Sequence, residues 1–239
     1  MNITSLLSDA LKVKIRLGMR GIKDLVSGRF FKFSKANTSF PKLQQQLTKI
    51  QPITDSLTVN AKINNLKVAA KQIENHVVYP GKIFSFWKAV GSPIEKNGFK
   101  SSRTIVKDEL SESIGGGLCQ IAGLVYYMSL EAGLKITERF EHSLDLYTDE
   151  TRYTPLGSDA SVVYGRKDLR IENNYNFPIR YTFEISNDSI KVILNSSNEI
   201  NLSEVTFKQK ITSSQKIVTT FIKGKKQTVA RYSILKNSQ

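Results

Sequence analysis

Hydrophobic positions change their spacing along the chain, and the change predicts helices in the first half and strands in the second. Apolar residues recur at helical spacing over 60–78 and again over 120–132. From position 136 onward they alternate with polar residues in short runs separated by Asn, Gly or Asp. The pattern therefore predicts an α+β fold, with an antiparallel sheet packed against a central helix and further helices near the N-terminus.

The predicted strands fall into two groups. The first group occupies the middle of the chain, at 159–165, 169–172, 179–185 and 190–194, with a hairpin turn at 187–189. The second group lies near the end, at 205–210, 216–222 and 227–234, with a hairpin tip around 221–225. We expect the second group to form a small β extension or sheet edge that carries no catalytic residue.

Composition divides the chain into three segments. Residues 1–36 form a basic helical arm, 37–196 the main domain and 197–239 the β extension. Up to position 35 the arm has eight basic residues against Asp9 and Asp24. Its apolar positions do not keep to one stripe, which favours a helix packed on the domain with a solvated basic face. The alternative is a helix lying on an anionic membrane surface.

The first 35 residues also bear on localisation. They contain no apolar run of the length that a signal peptide or a transmembrane helix requires. The sequence therefore predicts a cytoplasmic protein with peripheral contact to an anionic membrane or wall polymer. The net charge of +14 and the pI of 9.7 indicate the same attraction to polyanions.

The remaining composition narrows the classes of function. A chain of 239 residues with 40% hydrophobic content can bury one sizeable core, which argues against disorder. No helix-turn-helix, zinc-finger pairs or aromatic RNA-binding signature is present, so sequence-specific nucleic-acid binding is not expected. A single cysteine excludes an intrachain disulfide and a cysteine-only metal site. We expect neither a metal nor a cofactor, and oligomeric state is not indicated.

The single cysteine stands in a setting that can make it reactive. Cys119 follows three glycines, in the sequence GGGLCQ at 115–120, and precedes the helical pattern of 120–132. It should therefore lie in the first turn of that helix, where amide groups and the helix dipole lower the pKa of a thiol. The other interpretation is a buried structural cysteine beside a tight glycine turn.

A cysteine nucleophile needs a base, and the chain has two histidines. His76 falls at the edge of the apolar face of 60–78, which is typical of a residue at the border of a core. His142 follows a glycine and a strand-like run, so this strand could return along the helix to Cys119. We therefore predict His142 as the base.

A third group should orient the imidazole. Asp159 opens the predicted strand at 159–165 and is the first candidate, although aspartate at such a position often serves a turn. Asp168 is the second candidate. Asp145 is so near His142 in sequence that the two could approach each other without any particular fold. Gly116, Gly117 and Gln120 are predicted to bind the substrate or the oxyanion. This order of cysteine, helix, strand and histidine is the one found in papain-like and transglutaminase-like enzymes, and it predicts a fold of that kind.

Several separated motifs resemble those of the VanW-like family, which takes its name from an accessory gene of vancomycin-resistance clusters. They run from about position 64 to 178 and include NNL at 64–66, PGKIFSF at 80–86, GGGLCQ at 115–120, AGL at 132–134, ERFEHS at 138–143, PLGSDA at 155–160 and NN at 173–174. Members of the family are often attached to the cell envelope through an N-terminal hydrophobic segment, and this sequence departs from that pattern.

The resemblance implies a role in the cell envelope or in antibiotic resistance. Three hypotheses follow from it together with the residues. The first is a cysteine-dependent acyl-transfer or amide-hydrolase enzyme that acts on a cell-wall peptide or its precursor. The second is a non-catalytic module that binds a wall fragment, a glycopeptide or another small molecule. The third is a membrane-surface adaptor driven by the basic arm.

Overall fold

The computed structural model describes residues 8–37, 39–54, 56–106, 109–145 and 152–234 and has an α+β fold, as the sequence predicts. Its α-helices are α1 (Asp9–Val26), α2 (Val59–Glu74), α3 (Phe86–Val90) and α4 (Leu118–Glu131). Its strands are β1 (Gln44–Pro52), β2 (Val77–Val78), β3 (Ile83–Ser85), β4 (Ser101–Val106), β5 (Glu109–Ile114), β6 (Lys135–Glu138), β7 (Arg170–Glu172), β8 (Ile179–Ile185), β9 (Ser189–Ser196), β10 (Val205–Ile211), β11 (Gln215–Ile222) and β12 (Lys225–Ser233).

The strands pair into antiparallel sheets. A four-stranded sheet has the order β1-β9-β8-β2, and a three-stranded sheet has the order β3-β7-β6. Strands β10, β11 and β12 form a meander, and β4 pairs with β5. Lys223 and Gly224 both have positive φ between β11 and β12, as a two-residue hairpin turn requires.

The helix that begins with the glycine motif is the centre of the core. Helix α4 contacts β1 and β9 of the four-stranded sheet and β6 of the three-stranded sheet. It is buried on most of its circumference because it lies between these elements, and its apolar residues do not keep to one face. Its Ser129 hydroxyl bonds with the hydroxyl of the buried Tyr181 on β8. These contacts hold α4 against both sheets, and the Ser129 bond lies near its C-terminal end.

Two predicted elements differ from the structure. The helix predicted over 60–78 ends at Glu74, and Val77–Val78 instead pairs with β8. β-branched residues at the end of a helical pattern favour a strand once a sheet edge is available. The strand predicted at 159–165 is wrong, because this segment has a single bridge between Val163 and Lys167. Ala160 and Val162 are nevertheless buried, so the apolar pattern reflected packing and not strand pairing.

Helix α1 packs on the domain through one face. Its Asp24 is 4% exposed and forms an ion pair with Arg170 of β7, with Oδ1 to Nη1 at 2.6 Å. Arg20 pairs with Glu138 of β6 at 2.7 Å. The charged contacts that hold α1 therefore lie toward the protein. The division of the chain into three segments stays a prediction.

Within the described ranges, no helix has the length and apolar composition needed to cross a bilayer.

Candidate functional site

Cys119 lies in the first turn of α4, as predicted from its place after the glycines. Gly117 is the N-cap residue and has a φ of +93°, which a residue with a side chain adopts only with strain. The turn is held from behind by Asn65 of α2, whose side chain donates to the carbonyl oxygens of Gly116 and Lys100. The backbone before Cys119 is therefore anchored to the core by a buried amide.

His142 follows the end of β6, and its backbone is tied to the segment that contains Asp159. The amide of Ser161 donates to the carbonyl of Phe140 at 2.7 Å. The amide of His142 donates to Asp159 Oδ2 at 2.8 Å, and the ring Nδ1 lies 2.6 Å from the same oxygen. The imidazole is therefore oriented by both its backbone and its ring.

Both oxygens of Asp159 are occupied by two donors each. Oδ2 accepts from the backbone amide and the ring of His142. Oδ1 accepts from Arg139 Nη2 at 2.8 Å and from the Tyr232 hydroxyl at 2.5 Å. The guanidinium of Arg139 also donates through Nε to the backbone carbonyl of Asp159 at 2.8 Å. This arrangement fixes the carboxylate in place and in its charged form.

Helix α4 allows the segment around Asp159 to approach closely at Gly123, one turn after Cys119. A Cβ built at Gly123 would lie 3.6 Å from the amide nitrogen of Ala160 and 3.7 Å from Cα of Asp159. Because there is no side chain at this position, the backbone of 158–160 rests directly on the helix. That contact brings Asp159 and the following Val162 to the cysteine end of α4.

The thiol of Cys119 contacts both His142 and the segment after Asp159. The Cys119 thiol and the His142 imidazole lie close enough for each to shift the pKa of the other, and since Nδ1 is occupied by Asp159, Nε2 is the ring nitrogen that remains for the sulfur. The amide of Val162 donates to Sγ at 3.5 Å. Cys119 is half-buried, and the side chains of His142 and Asp159 are 31% and 26% exposed. The three groups therefore form one connected site that solvent reaches.

The pKa values of the three groups move in the directions that an ion pair requires. Burial raises the pKa of the Cys119 thiol, but the hydrogen bond and charge of His142 and the Val162 amide outweigh it and leave that pKa below its usual value. Burial lowers the pKa of His142, yet hydrogen bonds to Asp159 and Cys119 raise it overall. The pKa of Asp159 is held well below its usual range by His142 and Arg139 despite burial. A thiolate facing an imidazolium is thereby favoured.

The predicted oxyanion residues occupy different positions around this site. Gly116 is buried and donates its amide to Ser113, while its carbonyl accepts from Asn65. Gln120 donates its side-chain amide to the Pro52 carbonyl at 2.8 Å, so this group is already bonded to the end of β1. Gly117 provides no side-chain acceptor for the start of α4. The backbone amide of Gln120 also donates, to the Gly117 carbonyl at 3.0 Å, so in the described part of the chain the amides of Leu118 and Cys119 are the remaining candidate donors of this turn.

The two alternative aspartates lie elsewhere. Asp168 is buried, accepts from the Ser85 hydroxyl at 2.6 Å and pairs with Arg170. Asp145 accepts from Arg152 and Lys216. Of the three aspartates considered, Asp159 is the one that the structure places on the imidazole.

The second histidine is buried away from the cysteine. His76 is 7% exposed, and its Nδ1 lies 3.3 Å from the Ser34 hydroxyl. Burial lowers its pKa, which keeps the ring neutral at neutral pH. Over the part of the chain that the structure describes, no group of three or more His, Cys, Asp or Glu side chains is arranged to hold a metal ion.

Sequence reasoning missed two residues that hold Asp159. Arg139 is 4% exposed at its side chain and lies over the Tyr126 ring at 5.0 Å. Tyr232 comes from β12, in the extension that was expected to carry no catalytic residue. It contacts Asp159 and not the thiol, so its effect would pass through the carboxylate. Arg139 falls within the motif at 138–143, whereas no local pattern distinguishes Tyr232 from a strand tyrosine.

Comparison with known proteins identifies relatives of this chain. Residues 61–194 match the family described as VanW-like protein. The chain is 41% identical over 138 residues to the protein named "Uncharacterized protein YoaR" of Bacillus subtilis, covering 58% of this chain and 44% of that protein. It is 29% identical over 139 residues to the vancomycin B-type resistance protein VanW of Enterococcus faecalis, covering 58% and 50%.

The chain thus spans about half the length of the curated relatives that it matches. No solved structure matches it, so a papain-like or transglutaminase-like fold stays a prediction.

Proposed function

We propose that this chain, which belongs to the VanW-like protein family, is a cysteine-dependent enzyme of acyl transfer or amide hydrolysis. One observation carries the proposal. The ring of His142 is held at Nδ1 by Asp159, at 2.6 Å, while its other side interacts with the Cys119 thiol. A nucleophile, a base and a group that orients the base are the three parts of an activated cysteine.

The reaction would proceed in two steps. In the first, the thiolate of Cys119 attacks an acyl carbon, a C–S bond forms, and the imidazolium of His142 donates its proton to the departing amine. In the second, His142 accepts a proton from water or from an acceptor amine, which attacks the thioester and releases the thiolate. Amides of the first turn of α4 would stabilise the oxyanion in both steps.

The proposed substrate class is a cell-wall peptide or its precursor. The enterococcal relative is named for vancomycin resistance, and this name is the support for the substrate class. Cys119 is half-buried and the side chain of His142 is 31% exposed, so part of the site faces the solvent from which such a ligand would come. Hydrolysis and transfer differ only in the group that attacks the thioester, and the same three residues serve both.

The pH dependence of alkylation tests the activated thiol. Because the chain has one cysteine, the mass added by iodoacetamide reports on Cys119 alone. We expect the rate to rise with an inflection well below the pKa of about 8.5 of a free thiol. In His142→Ala the inflection should return toward that value. His76→Ala is the matched control, since it removes the other histidine without touching the thiol.

Two outcomes would count against catalysis. An inflection near the ordinary thiol value that His142→Ala does not move would remove the activated nucleophile. Binding of a wall peptide that survives Cys119→Ser, with no thioester detected by mass spectrometry in the parent protein, would support the binding module instead. A thioester that accumulates in the parent and is absent from Cys119→Ser would support the enzyme.

A further inference from the structure

The outward face of α1 is apolar, contrary to the expectation of a solvated basic face. Large hydrophobic side chains recur on it at intervals of three or four residues and are exposed, namely Leu11, Ile15, Met19, Ile22 and Val26. At 100° per residue these positions fall on one side of the helix. We name these five residues the α1 stripe. The apolar positions of the arm therefore lie on two sides of the helix, with Val13 and Leu17 opposite the α1 stripe, and the expectation that is wrong is that of a basic outward face.

The opposite side of α1 faces the protein. Val13, Leu17 and Arg20 are partly buried, and Asp24 is buried against Arg170. These four positions lie about half a turn around the helix from the α1 stripe. The helix is therefore held by ion pairs and a few apolar contacts on its inner side, and its more hydrophobic side is exposed. Exposing five large apolar residues in a row is costly for a surface that remains in water.

Basic residues flank the α1 stripe. Lys12, Arg16 and Lys23 lie along one border and Lys14 along the other. Asp24 does not oppose this charge because it is neutralised by Arg170, whereas Asp9 offsets Lys12 at 3.1 Å, so the unpaired positive charge of the border is that of Arg16, Lys23 and Lys14. An apolar stripe bordered by positive charge is complementary to an anionic lipid surface, where the apolar side chains enter and the basic ones meet headgroups.

The apolar surface continues beyond the end of the helix. Phe30 and Phe31 are 51% and 70% exposed, and their rings meet edge to face at 5.5 Å. Arg29 and Lys32 adjoin them in the same short turn. Aromatic rings beside cationic side chains are favourable at a membrane interface. This turn therefore adds exposed aromatic and basic side chains after the C-terminal end of the α1 stripe.

We propose that the α1 stripe, with its basic border, docks this protein onto an anionic phospholipid surface. The candidate site would then lie near that surface, because α1 rests on the segment that leads away from Val162. Arg20 Nη1 donates to the carbonyl of Arg166 at 3.2 Å, four residues after the amide that contacts Cys119. The proposal does not depend on catalysis by Cys119.

Vesicle sedimentation with the full chain tests the docking. Vesicles of phosphatidylcholine with 30% phosphatidylglycerol should bind the protein, and phosphatidylcholine alone should bind it far more weakly, about 100-fold, with binding reduced by salt. Met19→Asp with Ile22→Asp should reduce binding to background. These side chains are 66% and 65% exposed, so the fold should tolerate the change. Leu202→Asp with Ile211→Asp is the matched control, at 54% and 66% exposure.

Charge is tested separately. Lys14→Gln, Arg16→Gln and Lys23→Gln together should weaken binding about 100-fold, since each basic residue near an anionic surface contributes roughly a factor of five. Three exposed lysines of the β extension, changed to Gln, are the control at equal net charge, namely Lys210, Lys225 and Lys226. Circular dichroism confirms that each variant is folded.

Three results would overturn the proposal. Equal binding to neutral and anionic vesicles would remove the role of the basic border. Binding that persists in Met19→Asp with Ile22→Asp would place the contact elsewhere. A protein that does not bind vesicles but sediments as a dimer, and becomes monomeric in the same variant, would show that a second copy covers the stripe.

Discussion

Replacing Asp159 with Asn exchanges one carboxylate oxygen for an NH2 group and disturbs the hydrogen bonds around this side chain. Each carboxylate oxygen now accepts from two donors, Arg139 and Tyr232 on Oδ1 and two groups of His142 on Oδ2. An amide has one oxygen and one NH2 group. Whichever way the Asn side chain turns, its NH2 group faces two donors and can accept from neither. The variant therefore loses hydrogen bonds in both orientations.

The cost follows from the burial of the partners. Removing one member of a buried ion pair destabilises a protein by about 3–5 kcal/mol. Arg139 is 4% exposed at its side chain, but it keeps the backbone carbonyls of Gly157 and residue 159 as acceptors. We therefore expect Asp159→Asn to lower the free energy of unfolding by about 3 kcal/mol at pH 7, at the lower end of that range.

The pH dependence of this difference has a definite sign. The pKa of Asp159 lies below its usual range because His142 and Arg139 outweigh the effect of burial. A group with a depressed folded pKa contributes stability that is fully present above its unfolded pKa and disappears as pH falls through the folded one. The difference between the parent protein and Asp159→Asn should therefore persist at pH 5 and shrink only below about pH 4, the ordinary aspartate pKa.

Urea unfolding followed by Trp87 fluorescence and circular dichroism measures these free energies. Asp145→Asn is the matched control for reactivity, because Asp145 also holds two basic partners, Arg152 and Lys216, and does not touch His142. It should lose stability while keeping the alkylation profile of the parent. If the free energy of unfolding of Asp159→Asn instead lies within about 1 kcal/mol of the parent value and the variant alkylates with the same pH profile, the carboxylate neither stabilises the fold nor affects the thiol through His142.

Two further substitutions probe the surroundings of the site. Tyr232→Phe removes one donor to Asp159 and should cost about 2 kcal/mol in urea unfolding; a cost under about 0.5 kcal/mol would contradict a hydrogen bond to a charged group. Gly117→Ala should cost about 1–3 kcal/mol, since φ is +93° and the new Cβ would lie 2.6 Å from Lys62 Cγ. Gly21→Ala is its control, with open space around the Cβ and an expected gain of about 0.5–1 kcal/mol from helix propensity. A Gly117→Ala variant as stable as the parent would show that the turn relaxes.

The spacing of hydrophobic residues in the sequence predicted the position of those elements that bury one face. Strand β8 was predicted at its observed bounds, and β9 to β12 within two residues at each end, because their residues alternate or lie between turn residues. The first turn of α4 was found from the glycines. The segment 159–165 was misassigned because Val162 and its neighbours are apolar for a different reason. Ala160 and Val162 lie against α4 at Gly123 and Cys119, and the described part of the chain offers this segment no strand partner beyond one bridge.

The candidate triad could be named from the sequence, but its surroundings could not. Because the chain has one cysteine and two histidines, few residues had to be considered before Cys119 and His142 were chosen. Arg139 lies 20 residues before Asp159 and Tyr232 lies 73 after it, and neither spacing has a local pattern. The outward face of α1 was missed for a related reason. The apolar positions of the arm fall on opposite sides of the helix, and only packing shows which side is covered.

The position of Tyr232 separates the stability of the site from its chemistry. Cys119, His142, Asp159 and Arg139 all lie within residues 61–194, the part that matches the VanW-like family, whereas Tyr232 lies outside it. Arg139 alone can neutralise Oδ1 of Asp159, so the carboxylate that orients the His142 ring keeps a charged partner without the tyrosine. Tyr232→Phe should therefore lower the free energy of unfolding while leaving the alkylation inflection of the thiol near that of the parent. A large upward shift of the inflection would mean that the β extension is part of the chemistry and not only a support for it.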